Sequence, residues 1–221
     1  MPKLSTKEQW DRAAAAVAAH ADALRAATTH RELRAWAEAQ DLTDPASQWV
    51  KVKAELRKQH DIDYDQIRAD TLAQESKALA EAGDDAPTIT LCVAGDAEVN
   101  SFAVCAADND SESWYGEYHP NDRIYVEGDE LSAEKSAADK AVFLAGKARE
   151  AIGADAVRLT ILTTHPDLDA ADFAATANRY RVIVDVEHTE QNPAVALTRA
   201  PGYRTWREIR LDRLVTHTTP A

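Results

Sequence analysis

The sequence predicts an α/β fold, a mixed sheet with flanking helices, preceded by a small all-α helical domain. Three observations carry this expectation. Leu131 to Thr164 reads as one amphipathic helix, a glycine stop and a buried strand. Thr88 to Tyr118 holds three short apolar runs parted by turn residues. Residues 1–83 show helical periodicity that ends at Gly83-Asp84-Asp85-Ala86-Pro87, a composition that breaks regular structure. The expected division is therefore a helical domain over 1–83, a linker over 84–87 and a sheet domain over 88–221.

The helices announce themselves by their caps. Ser5-x-x-Glu8 is a capping box that opens an Ala-rich helix running to Ala27, and Thr29-x-x-Glu32 opens a second through Glu38. Asp44-Pro45 stands before a third, Ala46 to His60, and Asp63 or Asp65 opens a fourth to about Ala82. Trp10, Trp36 and Trp49 are the expected core anchors of this domain.

Past the linker the period changes. Thr88 to Val93, Ser101 to Ala107 and Trp114 to Tyr118 read as strands of an antiparallel meander, with Asp108-Asn109-Asp110-Ser111 as one of its turns. Ile124 to Val126 either extends the meander or leads into the next helix. Ser132 is the expected cap of that helix, and Ala138, Ala141, Val142, Ala145, Ala148 and Ile152 mark its buried face. Gly153 stops it, and Val157 to Leu162 is the strand that follows. A helical stretch around Ala170 to Ala177, a strand from Arg181 to Glu187, a helix or loop over Pro193 to Arg199 and a closing helix from Arg204 to Leu214 complete the reading.

The 221 residues suffice for a substantial core, and their formal net charge is −13. No apolar run approaches the roughly 18 residues that a membrane-spanning helix needs. The opening MPKLSTKEQW lacks the apolar stretch of a signal peptide, so a cytoplasmic location is the expectation. Cys92 and Cys105 sit in strand-like runs and read as buried free thiols.

Charge is uneven. Residues 1–83 hold 12 Lys and Arg against 14 Asp and Glu; residues 84–221 hold 13 against 24. An acidic second half opposes a broad electrostatic grip on phosphate backbones. Two local basic stretches remain as nucleic-acid contacts: Lys51 and Lys53 on the third helix, and Arg199, Arg204 and Arg207 near the C-terminal end. Phosphate-loop, dinucleotide-loop and nucleophile-elbow motifs are all missing.

Three strands, a helix, a strand, a helix, a strand and a final helix form an order that resembles the ribonuclease H fold over about residues 87 to 215. Local segments resemble that family too. Ala137-Ala138-Asp139-Lys140-Ala141 to Gly146 is similar to its first helix, where an acid stands in a run like A-E-Y-x-A-L-x-A-G. Val93-Ala94-Gly95-Asp96 is similar to its T-D-G-S turn. Asn192-Pro193-Ala194-Val195-Ala196-Leu197 is similar to its N-x-x-A-D-x-L-A segment.

The resemblance implies hydrolysis of a phosphodiester by two Mg²⁺ ions held on four carboxylates. Carried onto this chain, the set is incomplete. Asp139 takes the helix acid's place, Ala94 the first acid's unless Asp96 substitutes, His165 the third with Asp167 beside it, and Val195 the last. The implied catalytic set is Asp96, Asp139 and Asp167, with His165 as a further metal ligand and Glu187 nearby. With two acids replaced, the expectation is a catalytically degenerate module that binds nucleic acid or a protein partner. A divergent Mg²⁺-dependent nuclease acting on an RNA–DNA hybrid, and an acidic protein-interaction domain, are the alternatives.

Overall fold

A computed structural model describes residues 4–83, 85–108 and 111–216. Two compact units divide between Gln74 and Glu75, within the helix that leads to the linker expected at 84–87. Asp84 of that linker, Asn109 and Asp110 of the expected turn, and residues 217–221 lie outside the described residues.

The chain begins with five helices: α1 (Thr6–Ala19), α2 (Ala21–Ala26), α3 (His30–Ala39), α4 (Ala46–His60) and α5 (Tyr64–Ala82), the last crossing the division between units. Both capping boxes form, Ser5 with Glu8 and Thr29 with Glu32. The single helix expected from Thr6 to Ala27 breaks at His20, whose φ of −119° and ψ of 24° leave the helical region. A compact apolar cluster gathers Ala13, Val17, Leu24, Leu33, Val52 and Leu56, with Trp36 and Trp49 against its rim. Trp10 is not an anchor: it is 39% exposed. Gln9, Ala13 and Val17 form the buried row of α1, and Trp10 stands about 100° around the helix from it.

The second unit is built on a mixed sheet. Its strands are β1 (Thr88–Asp96), β2 (Ser101–Ala106), β3 (Ser113–Glu117), β4 (Val157–Thr163) and β5 (Val182–His188), in spatial order β3-β2-β1-β4-β5. β1, β2 and β3 pair antiparallel, whereas β4 runs parallel to β1 and β5 parallel to β4. A two-residue strand, β6 (Val215–Thr216), adds to β1 on the antiparallel side.

Strand alternation sorts the side chains between two faces. Ile89, Leu91 and Val93 join Val104, Leu159 and Ile161 under the long helix α6 (Glu130–Ile152). That helix presents Ala133, Ala137, Ala138, Ala141, Ala145 and Ala148, all fully buried, so its backbone lies close on the sheet. Its N-cap is Asp129, which accepts from the Ser132 N–H at 3.1 Å, so Ser132 falls inside the first turn and is not the cap. Gly153 ends it in the left-handed conformation, as expected. A 3₁₀ turn and α7 (Ala174–Tyr180) pack beside it.

The opposite face is smaller. Cys92, Ala94, Ala103 and Cys105 lie there under Ala194 and Leu197 of α8 (Pro193–Leu197). Asn192 fixes that short helix, accepting from the Ala194 N–H and donating to the Val93 carbonyl at 2.6 Å. The two cysteines are buried free thiols in direct register across β1 and β2.

The closing helix expected over Arg204 to Leu214 does not form. Arg204 exchanges both backbone hydrogen bonds with Tyr115 on edge strand β3, at 3.1 and 3.0 Å, which demands extended backbone there. Two 3₁₀ turns, Trp206–Glu208 and Leu211–Leu214, follow. Covering an edge in this way removes a row of open donors and acceptors.

Candidate functional site

The parallel strands β1 and β4 end side by side, and the first turns of α6 lie over their ends. At this point the chain places Glu134, a residue the sequence reading passed over. It is 3% exposed. One carboxylate oxygen accepts from the Gly95 N–H at 2.6 Å, and the other accepts from the Thr163 hydroxyl. That hydroxyl oxygen in turn accepts from the His165 N–H at 2.9 Å. Glu134 therefore ties together the helix, both strand ends and the turn beyond β4.

The sequence permits this approach through Gly95. A Cβ there would lie 2.2 Å from the carbonyl carbon of Ala133, closer than any side chain tolerates. On the neighbouring turn of chain, the Tyr118 hydroxyl donates to the Ala133 carbonyl at 2.7 Å. Tyr125 stacks on Tyr118 with ring centroids 4.1 Å apart. Beside them Asp122 accepts from the Ile124 and Tyr125 N–H groups, the Ser136 hydroxyl and the Lys140 ammonium, the last at 2.7 Å.

Electrostatics follow the burial. Burial pushes the Glu134 carboxyl above the ordinary glutamate range, against the hydrogen bonds from Thr163 and Gly95. Burial pushes the Tyr118 phenol far up as well, and the nearby Glu134 and Asp122 charges add to that. Asp122 is also penalised by burial, but the Lys140 ammonium and its other donors outweigh this and hold it well below the usual aspartate range.

The acids singled out in the sequence lie elsewhere. Asp96, at the last position of β1, shares a face with Cys92 and Ala94, and the Glu98 and Val99 N–H groups donate to it. Its other oxygen pairs with Arg199 Nε at 2.8 Å, and Arg199 also reaches Glu98 at 2.8 Å. Asp139 accepts from the Thr176 hydroxyl of α7 at 2.6 Å. Five residues beyond Glu134, it is rotated about 140° around α6, away from the strand ends. Asp167 lies in the turn after β4 and donates its N–H to His165 Nδ1 at 3.2 Å. Glu187, late in β5, is exposed. Among the described residues, no three His, Cys, Asp or Glu side chains gather where they could hold a metal ion.

The basic residues are mostly engaged internally. Lys51 is buried between α1 and α4, donating to Gln9 Oε1 at 2.9 Å and the Ser47 carbonyl at 3.0 Å. Lys53 reaches both oxygens of Asp65, at 2.9 and 2.8 Å. Arg204 donates to the Ser111 carbonyl. Arg207 extends its guanidinium over a ring, 4.9 Å from the Trp206 centroid, and Lys51 and Lys53 also lie over rings, 5.9 Å from Trp10 and 5.8 Å from Tyr64.

Chemically, the strand-end cluster fastens the start of α6 to the ends of β1 and β4. A carboxylate that serves a metal or a water must offer it lone pairs from an open site. Both Glu134 oxygens face donors of the chain, and the residue is all but sealed. The signal that could have found Glu134 lies in Ala133-Glu134, an A-E pair near the helix start and five residues ahead of the acid chosen. No family model matches the chain, and neither curated proteins nor solved structures yield a match.

Proposed function

We propose that the sheet unit is a ribonuclease H-like module that has no hydrolytic activity and acts by binding. The observation that carries this reading is the state of the strand ends in a sheet ordered β3-β2-β1-β4-β5. The resemblance sets Ala94 and His165 where that family's chemistry needs strand carboxylates, and the adjacent Gly95 N–H and Thr163 hydroxyl both spend their donors on Glu134. Two-metal hydrolysis needs several anionic oxygens facing a shared pair of cations. One sealed carboxylate does not supply them, and Mg²⁺ has no place in this reading.

Charge favours a basic protein as partner. The net −13 repels a polyanion, and Arg199 and Lys53 already face acids within the chain. A nucleic-acid partner would be held through the Arg207 side of the module, where Tyr203 is 77% exposed.

The test is a cleavage and retention assay on an end-labelled RNA–DNA hybrid, with Mg²⁺ or Mn²⁺, comparing wild type with Glu134→Gln and Asp139→Asn. The expected result is an intact hybrid in every lane. Retention of the intact hybrid would select nucleic acid as the partner, and its free passage a protein. Metal-dependent cleavage lost in either variant would overturn the proposal.

A further inference from the structure

The edge strand β3 is covered over only part of its length. Alternate residues of an antiparallel strand turn their N–H and C=O groups to opposite sides. Tyr115 turns both toward Arg204, and the Tyr118 N–H donates inward to the Asn100 carbonyl at 2.9 Å. Glu117, two residues from Tyr115, therefore points its own N–H and C=O outward as well. In continued register its partner would be Gly202, but no backbone hydrogen bond joins the two among the described residues. The φ of +81° at Gly202 turns the covering segment away at this point.

A cavity of about 470 Å³ opens where the pairing stops. Phe102, Trp114, Glu117, Tyr203 and Arg204 line it. Trp114 packs edge-on against Phe102 with centroids 5.3 Å apart, which steadies one wall. Tyr203 stands 77% exposed, although an aromatic ring gains most from burial. The two charges on the rim are not equivalent. Arg204 has an acid to answer it: the Thr205 N–H and hydroxyl, and then the Arg204 charge, hold Glu208 below the ordinary glutamate range. Glu117 is exposed and forms no hydrogen bond or ion pair among the described residues.

We propose that this pocket receives a lysine side chain from an extended basic segment of a protein partner, whose backbone pairs with the open edge at Glu117. Aromatic rings attract an ammonium through their electron-rich faces, and an unpaired carboxylate beside them adds a charged acceptor. Rings of this same cluster already take a cation on the inner side, where Lys140 Nζ lies 4.7 Å from the Phe102 centroid and 5.1 Å from that of Tyr118. An outward N–H and C=O on one residue are what an added strand needs for a reciprocal pair of hydrogen bonds. The net −13 of the chain favours the approach of a polycation. This inference rests on the reading of the sheet unit as a module that binds a basic protein, and it assigns that reading a site.

The experiment is an NMR titration of the full chain with a seven-residue peptide of alternating lysine and valine, and with the same peptide acetylated at every lysine. The Glu117 and Gly202 amides and the Trp114 indole N–H are expected to shift with the free peptide, and the acetylated one to bind about tenfold more weakly. Glu117→Gln and Tyr203→Ala should each weaken binding about fivefold, whereas Glu190→Gln, at another exposed acid, should leave it unchanged. The substituted side chains are exposed, and an unaltered melting curve checks that the variants fold. Absence of shifts up to millimolar peptide, or equal binding of the acetylated peptide, would overturn the proposal. Peptide binding that survives both Glu117→Gln and Tyr203→Ala would overturn the site and leave the basic partner standing. The same three resonances shifting with an intact RNA–DNA hybrid would give the pocket to nucleic acid and overturn it too. The underlying reading fails separately, by metal-dependent cleavage of that hybrid.

Discussion

Glu134 is a carboxyl group that the fold pays to bury and keeps because three parts of the chain meet on it. Its folded pKa is raised above the ordinary 4.5, so the native state holds that proton more tightly than the unfolded chain. Its contribution to stability is full below the ordinary value and is lost as pH rises through the folded one. Glu134→Gln keeps an acceptor for the Gly95 N–H and offers an amide donor to Thr163. That variant should match or exceed wild-type stability at neutral pH and lose this part of the pH slope, read from urea midpoints between mildly acidic and neutral pH. Glu134→Ala leaves both donors buried without a partner and should cost about 2–4 kcal/mol. Asp122 has the opposite sign. Its folded pKa is depressed, so its contribution is present above the ordinary 3.8 and is lost as pH falls through the folded value. The Asp122–Lys140 pair is mostly shielded, with side chains 12% and 17% exposed. Asp122→Asn should cost about 2–3 kcal/mol at neutral pH, less than a fully buried pair because some solvent reaches it. The same substitution should cost little at strongly acid pH, and acid-limb denaturation of the two proteins is the comparison that checks it.

Contact between α6 and β1 depends on the absence of a side chain. Gly95→Ala would press a methyl group into the Ala133 carbonyl. Backbone cannot swing aside as a long side chain can, so the substitution should destabilise by about 2–3 kcal/mol or prevent folding. Thermal unfolding of the variant measures it, and wild-type stability would refute the close approach. These elements differ in how far they could be read in advance. The helix α6, its Gly153 stop and β4 were legible because period, stop signal and β-branched composition agree locally. The three-strand meander was legible for the same reason. The segment from Arg204 to Leu214 was not, because its backbone is recruited by Tyr115 at the sheet edge, a partner distant in sequence. Glu134 was missed on similar grounds. A charged residue two positions after Ser132, the expected cap, reads as solvated first-turn charge, and only the crossing of α6 over two strand ends buries it.

Each of the two compact units has an apolar cluster of its own, and each should answer to its own mutations. Leu56→Ala opens a cavity in the helical cluster and should cost about 2–4 kcal/mol there. Amide exchange at Val17 and Leu33 should accelerate, while Leu91 and Ile161 in the sheet core keep their protection. Equal loss in both sets would show that the division at Gln74 and Glu75 is not a division in stability. Charge is a property of the whole chain as well: net −13 draws a basic partner in from a distance and leaves its placement to local contacts. The reading of the sheet unit as a binding scaffold rests on a carboxylate committed to its own fold. Titration with Mn²⁺, followed by paramagnetic broadening of backbone amide resonances, tests that most directly. Gly95, Thr163 and His165 should broaden no more than other amides of the sheet unit. Selective broadening of these three at low Mn²⁺, abolished by Glu134→Gln, would place a metal at the strand ends and contradict the account.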